Sequence, residues 1–420
     1  MSQLHRRLED EVVRHIFNQY DAKQLTLPVV LAQLGIGRSR FFKLLIAYRK
    51  NPAAFSITYE RGGRKLITDE AEKKIKNELL KEKAMIEDRS LPIKWYNYSA
   101  VRDALKEKYD VKVSVPTIIA RAKTLGFYIP KPEKKKHNHQ VITNYPGELI
   151  QHDASHHRWS PYVEASWTGI TSIDDYSRVI LFGDLFEHES TWAHISSIES
   201  ICLQYGAPLK YYLDQHRIFR FVRNRDSKSR FFNYRKFTDE VDPQFKQVLK
   251  DLNIDSTYAL SPQAKGKIER PYQWLQDRTV RKCAKDRVSK FSEVRQIFRE
   301  EINRYNNRQV HSTTREIPIM RLEAALNQNR TMFRPFTFPK PFKSTKDIFC
   351  LRTTRIINHY QKISLHSLNF DVPGVRPGQE VIIRIRPQPE TGQAEIRIWH
   401  QDKLTATKTV LLKDMPEVQF

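Results

Sequence analysis

From about residue 145 to residue 335, short apolar runs bounded by turn residues alternate with longer amphipathic stretches. Three runs come first and predict three consecutive strands: ELIQHDASHHRW, SWTGITSIDD and SRVILFGDLF. They are followed by a helical stretch, the short run KYYLD, a second helix, the run DSTYAL and a long helix from about Ala264. Because strands followed by alternating helices and strands form layered sheets, we predict an α/β core over residues 145–335.

Residues 1–60 place apolar side chains at helical spacing on both sides of Gly35 and Gly37. A helix, a glycine-containing turn and a second helix are typical of a helix-turn-helix DNA-binding domain. Three basic residues of the second helix would face outward and contact phosphates or bases: Arg38, Arg40 and Lys43. A plain helical hairpin is the alternative.

Residues 61–130 contain a second unit of the same kind. Ser114 is the predicted N-cap of its last helix, with Pro116 in the first turn, and Arg121 and Lys123 lie on the polar face. Residues 131–144, with the run KPEKKKHNHQ, are predicted to be a basic linker, either a solvated hinge or a strap along DNA.

The last part of the chain, residues 345–420, is rich in strand patterns. The runs VIIRIR, AEIRIWH and TATKTVLL alternate apolar and polar residues between glycine turns, which predicts a small β-barrel. The chain is therefore predicted to be multidomain, with α-helical helix-turn-helix domains, an α/β core and a C-terminal small β-barrel.

The charge of the chain points to a polyanion. Of the 420 residues, 72 are Lys or Arg and 48 are Asp or Glu, a net charge of +24. Neutralised phosphates release counterions, so this balance favours nucleic acid as a partner. The three cysteines lack metal-site or disulfide spacing, no apolar run of membrane length occurs, and the segment MSQLHRRLEDEVVRH lacks the apolar core expected of a signal peptide. We expect a cytoplasmic protein, associated with a bacterial nucleoid, that does not bind membranes.

Three carboxylates fall where the predicted core would gather them. Asp153 lies in the first strand, Asp214 ends the run KYYLD, and Glu269 lies early in the helix after DSTYAL. Carboxylate clusters hold Mg²⁺ or Mn²⁺, and such ions catalyse phosphoryl transfer. Composition alone does not single out these three, because the chain has 48 acidic residues.

The motifs around these carboxylates are similar to those of retroviral-type integrases and insertion-sequence transposases. GELIQHDASHHRW resembles the first-aspartate strand of that family, TSIDDYSRVI its D-x-x-S-R strand, and YYLDQHRIF the strand that ends in the second aspartate. SPQAKGKIERPYQWLQ resembles the P-x-x-x-G-x-x-E stretch, with Pro262, Gly266 and Glu269 in place. The resemblance implies an RNase H-like catalytic core, which the strand and helix order also favours.

By this resemblance, Asp153, Asp214 and Glu269 are the catalytic D-D-E triad and the metal ligands, with two Mg²⁺ or Mn²⁺ ions in the site. DNA contacts near the scissile phosphate are expected from Lys265, Lys267, Arg270 and Gln273. Tyr272 and Gln276 share the helix face of Gln273, and this face is a candidate to lie over DNA. The alternative is a half-buried helix with Trp274 and Leu275 in the core, and both can hold because these are different faces. No further cofactor is expected.

The sequence departs from the family pattern at three places. Gln215 and His216, rather than Asn-Gly, follow the second aspartate, and Gln276 stands where a basic residue is common. The interval before Glu269 is longer than usual, and the basic, aromatic stretch 217–237 accounts for the excess. That stretch is either a DNA-contacting insertion or a solvated loop.

Two other groups of residues compete for a metal. Asp175 is the alternative to Asp153, although the family uses this position for structure. His152, His156 and His157 all lie in the first predicted strand, but the consecutive His156 and His157 face opposite sides of a sheet, which disfavours a shared zinc ion.

The resemblance implies a DNA transposase that binds element ends, cleaves their 3′ ends and joins them to target DNA, acting as a dimer or higher multimer. An inactive sequence-specific DNA-binding regulator and a structure-selective nuclease of the same fold are the alternatives.

Overall fold

The computed structural model describes Leu4 and residues 7–58, 67–130, 143–214, 243–258, 266–365 and 368–415, and at residues 266–269 it describes the backbone alone. The chain divides into two compact units, Met1–Asn77 and Glu78–Phe420. The predicted 217–237 insertion and most of the 131–144 linker lie outside the described residues. No helix in the described ranges is both long enough and apolar enough to cross a membrane.

The first unit is a small helical bundle. It contains α1 (Asp10–Asp21), α2 (Leu27–Leu34) and α3 (Arg38–Lys50), and α4 (Asp69–Glu87) begins in it. Aromatic rings fill its centre, with Phe17 in contact with Phe41, Tyr48 and Phe55. Gly35 ends α2 with φ of 57°, a left-handed conformation that favours glycine. Helix, glycine turn and helix therefore follow one another as the sequence predicts.

The second unit begins with another helix pair, α5 (Tyr98–Tyr109) and α6 (Val115–Thr124). The side chains of Asn97 and Ser114 accept hydrogen bonds from backbone N–H groups and cap α5 and α6, respectively. The apolar stripes of the two helices are buried. The capping residue predicted at Ser114 is thus confirmed.

A five-stranded mixed sheet forms the centre of the second unit. Its strands are β1 (Ile150–His157), β2 (Trp167–Asp174), β3 (Ile180–Phe186), β4 (Lys210–Leu213) and β5 (Asp255–Tyr258), in the spatial order β3-β2-β1-β4-β5. The first three strands are antiparallel, and β1, β4 and β5 are parallel. This mixed sheet is the α/β core that the sequence predicts.

Helices cover both faces of this sheet. The helices are α7 (Thr191–Gln204), α8 (Gln244–Asp251), α9 (Gly266–Asp286), α10 (Phe291–Arg308) and α11 (Pro318–Asn327). One apolar cluster joins the sheet to α7 and α8, for example through Ile150, Ile198 and Phe245. A second cluster joins the other face to α9 and α10 through Trp167, Leu275 and Phe298.

The C-terminal part contains α12 (Thr345–Ile348) and strands β6 (Leu351–Ile356), β7 (Lys362–Leu365), β8 (Leu368–Asp371), β9 (Glu380–Gln388), β10 (Gln393–His400) and β11 (Lys403–Leu411). The predicted small β-barrel is wrong. Within the described residues the strands form an open sheet, β11-β10-β9-β6, and a separate β7-β8 hairpin.

The apolar side chains of the open sheet are buried in a cluster with other parts of the second unit. Ile383 and Ile385 of β9 belong to the same apolar cluster as Ile198 and Ile201 of α7. Arg386 adds an ion pair to Glu199 at 2.6 Å. The same cluster includes residues of the β7–β8 hairpin, so the apolar side chains of the sheet are removed from water although the sheet is open.

Candidate active site

The strand register places Asp153 and Asp214 side by side. Strand β1 pairs in parallel with β4, with Ile150 opposite Tyr211 and Gln151 opposite Tyr212. The same register, continued by two residues along each chain, puts Asp153 opposite Asp214, which directly follows β4. Neighbouring strands lie about 4.8 Å apart, so the two carboxylates start from adjacent backbone positions. Both residues are partly exposed.

Helix α9 packs against β1 at the level of Asp153. The hydroxyl of Tyr272 donates to the carbonyl oxygen of Asp153 at 2.6 Å and also lies 3.0 Å from that of Gly169. One turn later, Gln276 Nε2 donates to Ser155 Oγ at 3.0 Å. Burial, with the nearby charge of Asp153, raises the pKa of Tyr272 well above its ordinary value, so the hydroxyl remains a donor.

Glu269 belongs to α9 and lies three residues before Tyr272 and seven before Gln276. Residues at these spacings share one face of a helix. The side chains of Glu269 and Lys267, and the whole of Lys265, lie outside the described part of the chain. The structure therefore brings two of the predicted acidic residues together and places the backbone of the third on the helix beside them.

Two further residues predicted near the DNA, Arg270 and Gln273, are exposed on α9. Tyr272, on the same helix face, is buried, and Leu275 lies in the core, as expected for a half-buried helix. The basic residues predicted on α3, Arg38, Arg40 and Lys43, are exposed. On α6, Lys123 is exposed and Arg121 is half-buried.

Asp175, the alternative to Asp153, has its carboxylate occupied by neighbouring side chains. Oδ1 accepts hydrogen bonds from Gln151 Nε2 at 2.5 Å and Arg178 Nη1 at 2.9 Å, and Oδ2 accepts one from Thr143 Oγ1 at 2.9 Å. Only 1% of Asp175 is exposed. This environment favours a structural role for the residue.

Asp174 has a similar environment. Its carboxylate accepts from the backbone N–H of Gly147 and from the N–H and hydroxyl of Ser177. Complete burial nevertheless raises its pKa to about 6. The acidic pair of the second motif therefore connects the β2–β3 turn to β1 and to the segment that precedes β1.

The histidines of β1 form part of a hydrogen-bonded chain. His152 is fully buried on the sheet face opposite Asp153, and its Nε2 lies 2.8 Å from His194 Nδ1. Glu189 links this pair to His156, because its two oxygens lie 3.0 Å from His194 Nε2 and 2.8 Å from His156 Nε2. The chain ends on the hydroxyls of Ser172 and Thr168.

One assignment of protons satisfies every link of this chain. Both hydroxyls donate to a ring Nδ1, His152 Nε2–H donates to His194, and two Nε2–H groups donate to a charged Glu189. His157 takes no part; burial lowers its pKa, and its ring contacts Trp159. In the described ranges no group of three or more His, Cys, Asp or Glu residues is arranged to hold a metal. The sequence did not identify Glu189 and His194 as partners of these histidines, since both residues lie outside the motif ELIQHDASHHRW.

Glu189→Ala is expected to lower the free energy of unfolding by about 1–3 kcal/mol, because it leaves the N–H of the buried His194 without an acceptor. Glu189→Gln should cost less, since the amide oxygen accepts from His194 and the exposed His156 can turn its acceptor nitrogen to the amide. Urea unfolding of the full chain measures both. Equal losses for the two variants would contradict the proton assignment.

No protein-family model matches the chain. The y4bF protein of Sinorhizobium fredii, which bears the name of a transposase, is 26% identical over 205 residues, or 49% of this chain and 43% of that protein. The transposase for insertion sequence IS1202 of Streptococcus pneumoniae is 28% identical over 173 residues, or 41% of this chain and 35% of that protein. The chain thus spans less than half the length of these curated relatives.

Solved integrase structures are also similar, at a low level. The HTLV-2 integrase catalytic core in complex with magnesium has a TM-score of 0.31 and 13% identity, covering 42% of this chain and 96% of that one. The BIV integrase core has a TM-score of 0.31 and 16% identity, covering 44% and 99%. These scores are too low to establish a shared fold. The chain is thus similar in sequence to two transposases, one of them from an insertion sequence, and the motifs around Asp153, Asp214 and Glu269 predict the same class of protein.

Proposed function

We propose that the chain is a DNA transposase that binds element ends, cleaves their 3′ ends and transfers the strands into target DNA. The observation that carries the proposal is the β1–β4 register, which sets Asp153 beside Asp214. The packing of α9 on the same part of β1 supports Glu269 as the third member. The sequence relatives named as transposases support the reaction class.

The donor set fits a divalent cation with a preference for oxygen. Asp153, Asp214 and Glu269 would supply only carboxylate oxygens, which suit Mg²⁺ or Mn²⁺. When bound, such ions activate the attacking oxygen and stabilise the leaving oxygen of an in-line displacement at phosphorus. The buried hydroxyl of Tyr272 holds α9 against β1, so that the helix carrying Glu269 keeps its position relative to Asp153.

The same proposal assigns DNA to the basic surfaces. The net charge of +24 favours phosphate contacts over the whole chain, and the exposed side chains on α3, α6 and α9 are the proposed contacts. Lys265 and Lys267 would add contacts next to Glu269. Self-association as a dimer or higher multimer, which would pair two ends, belongs to the proposal as well.

The test uses the full chain with duplexes from the two ends of the DNA element that carries its gene, a supercoiled target plasmid, and Mg²⁺ or Mn²⁺. The expected products are end duplexes nicked at the 3′ end and plasmid joined to them. Specific binding without cleavage in either ion would instead identify a regulator. Cleavage without joining would identify a structure-selective nuclease.

Replacing Arg38, Arg40 and Lys43 together by alanine is expected to weaken binding to the end duplex. If each residue contacts one phosphate, the negative slope of the logarithm of the binding constant against the logarithm of the salt concentration should become shallower by about 3. Fluorescence anisotropy over a salt series measures this slope. The matched control replaces three other exposed basic residues by alanine, Lys73, Lys76 and Arg89 in and just after α4. It removes the same amount of positive charge. Equal effects of both triple variants would contradict a specific contact by α3.

A further inference from the structure

The second half of α9 is joined to α4 and α5 by buried ion pairs. Arg281 Nη1 binds Glu82 Oε2, and the exposed fractions of the two side chains are 4% and 0%. Lys285 Nζ lies 3.2 Å from the other oxygen of Glu82. Arg278 Nη1 donates to Asp103 Oδ2 on α5 at 2.8 Å, and its Nη2 donates to Ser99 Oγ at 3.0 Å.

Other contacts extend this α9 junction, defined by Arg278, Arg281 and Lys285 with their partners on α4 and α5. The amide of Asn97, the N-cap of α5, donates to Asp277 of α9. Met85 and Ile93 pack against Val280 and Ala284 in a small apolar cluster. Charged and apolar contacts therefore act on the same two turns of α9.

The junction lies at a fixed offset from the candidate site. With a rise of 1.5 Å per residue, Arg278 and Arg281 are roughly 14 and 18 Å further along the helix than Glu269. Helix α6, with the exposed Lys123, packs against α5 through its buried stripe of Ile118 and Ala122. One helix thus carries Glu269 near its start and the α5–α6 pair on its second half.

We infer that α9 acts as a ruler: DNA bound by α6 is held at a fixed distance from Asp153, Asp214 and Glu269, and that distance selects the phosphate to be cut. The inference rests on the proposed function, and it makes Arg278 and Arg281 positioning residues. Buried ion pairs suit this use, because their geometry is specific and breaking one is costly. A plain structural role would require no fixed distance between α6 and the site.

The experiment maps the distance without needing catalysis. Asp153→Cys in the full chain offers a thiol at the candidate site for a maleimide–benzophenone label, whereas the three native cysteines are all buried. The probe is the duplex most enriched from a random-sequence pool by binding to the unsubstituted chain. The α6 contact is defined as the base pairs whose footprint is lost in Lys123→Ala, and crosslinks are mapped relative to it.

The expected crosslinks in the labelled chain fall within about two base pairs, at one distance from the α6 footprint. Arg278→Glu, which faces Asp103 with a like charge, should spread them over about a helical turn of 10 base pairs. The swap Arg278→Glu with Asp103→Arg should restore the narrow distribution. The control is Arg299→Ala, which removes an ion pair between α10 and Asp184 outside the junction. It should leave the crosslink distribution narrow.

Crosslinks spread over many base pairs in the labelled chain without a junction substitution would overturn the ruler. Crosslinks that stay within about two base pairs in a folded, labelled Arg278→Glu chain would also overturn it. If the chain bound no duplex from the pool, the proposed function itself would fail, and the ruler with it. A chain that binds DNA and crosslinks broadly would overturn the ruler alone.

Discussion

Replacing Asp153 by asparagine is expected to lower Mn²⁺-dependent cleavage of end DNA by on the order of a thousandfold, with DNA affinity and unfolding free energy little changed. Asparagine keeps the shape of the side chain but removes the charge that would hold the cation. A thousandfold loss corresponds to about 4 kcal/mol of transition-state stabilisation, a magnitude that metal-ion catalysis supplies. Single-turnover cleavage with saturating protein measures the effect. Asp214→Asn should behave in the same way.

Asp175→Asn provides the contrasting control, and it should act mainly on stability. The Asp175 carboxylate accepts from Gln151, Arg178 and Thr143, and the side chain of Arg178 is only 12% exposed. Loss of the charge leaves that cation buried and partly unpaired, which costs about 3–5 kcal/mol. Cleavage per folded molecule should decrease less than tenfold. Loss of cleavage in a stable Asp175→Asn chain, with an active Asp153→Asn chain, would reverse the two assignments.

The sequence patterns that predicted the α/β core are short and specific. The runs ELIQHDASHHRW and SWTGITSIDD, bounded by turn residues, predicted β1 and β2, and the backbone ladder pairs them with Asp153 opposite Thr171. The adjacency of Asp153 and Asp214 could not be derived from their spacing, because it depends on the register between β1 and β4. The family motifs supplied that information, since they belong to chains that gather the same carboxylates.

Long-range partners were not predictable in this way. Nothing near Arg281 in the sequence identifies Glu82 as its partner, and nothing near His152 identifies His194 or Glu189. The error in the C-terminal region has a related cause. Alternation in VIIRIR and AEIRIWH predicts strands correctly, but barrel closure depends on hydrogen bonds between edge strands and on what covers the apolar face. Here the apolar residues of β9 and β10 belong to a buried cluster that they share with the β7–β8 hairpin and α7.

Arg281→Met is expected to cost about 3–5 kcal/mol of unfolding free energy, because it leaves Glu82 buried without its guanidinium partner. Lys285, 3.2 Å from Glu82, compensates for part of the loss and places the effect toward the lower end of that range. The double variant Arg281→Met/Glu82→Leu should recover most of the stability, since two apolar side chains of similar size replace a desolvated ion pair.

Urea unfolding, with hydrogen exchange at α5 and α9 amides, measures this cost and shows whether it arises at the junction. Arg299→Met is the matched control: its side chain is 49% exposed and Asp184 retains Arg295, so a change of at most about 1 kcal/mol is expected. If Arg281→Met cost no more than Arg299→Met, the junction would carry little energy. A loose junction would be unable to hold α6 at a fixed distance from Asp153. The ruler therefore requires that the Arg281–Glu82 pair stabilise the junction. A large cost of Arg281→Met in urea unfolding and a narrow crosslink distribution in the labelled chain are expected together.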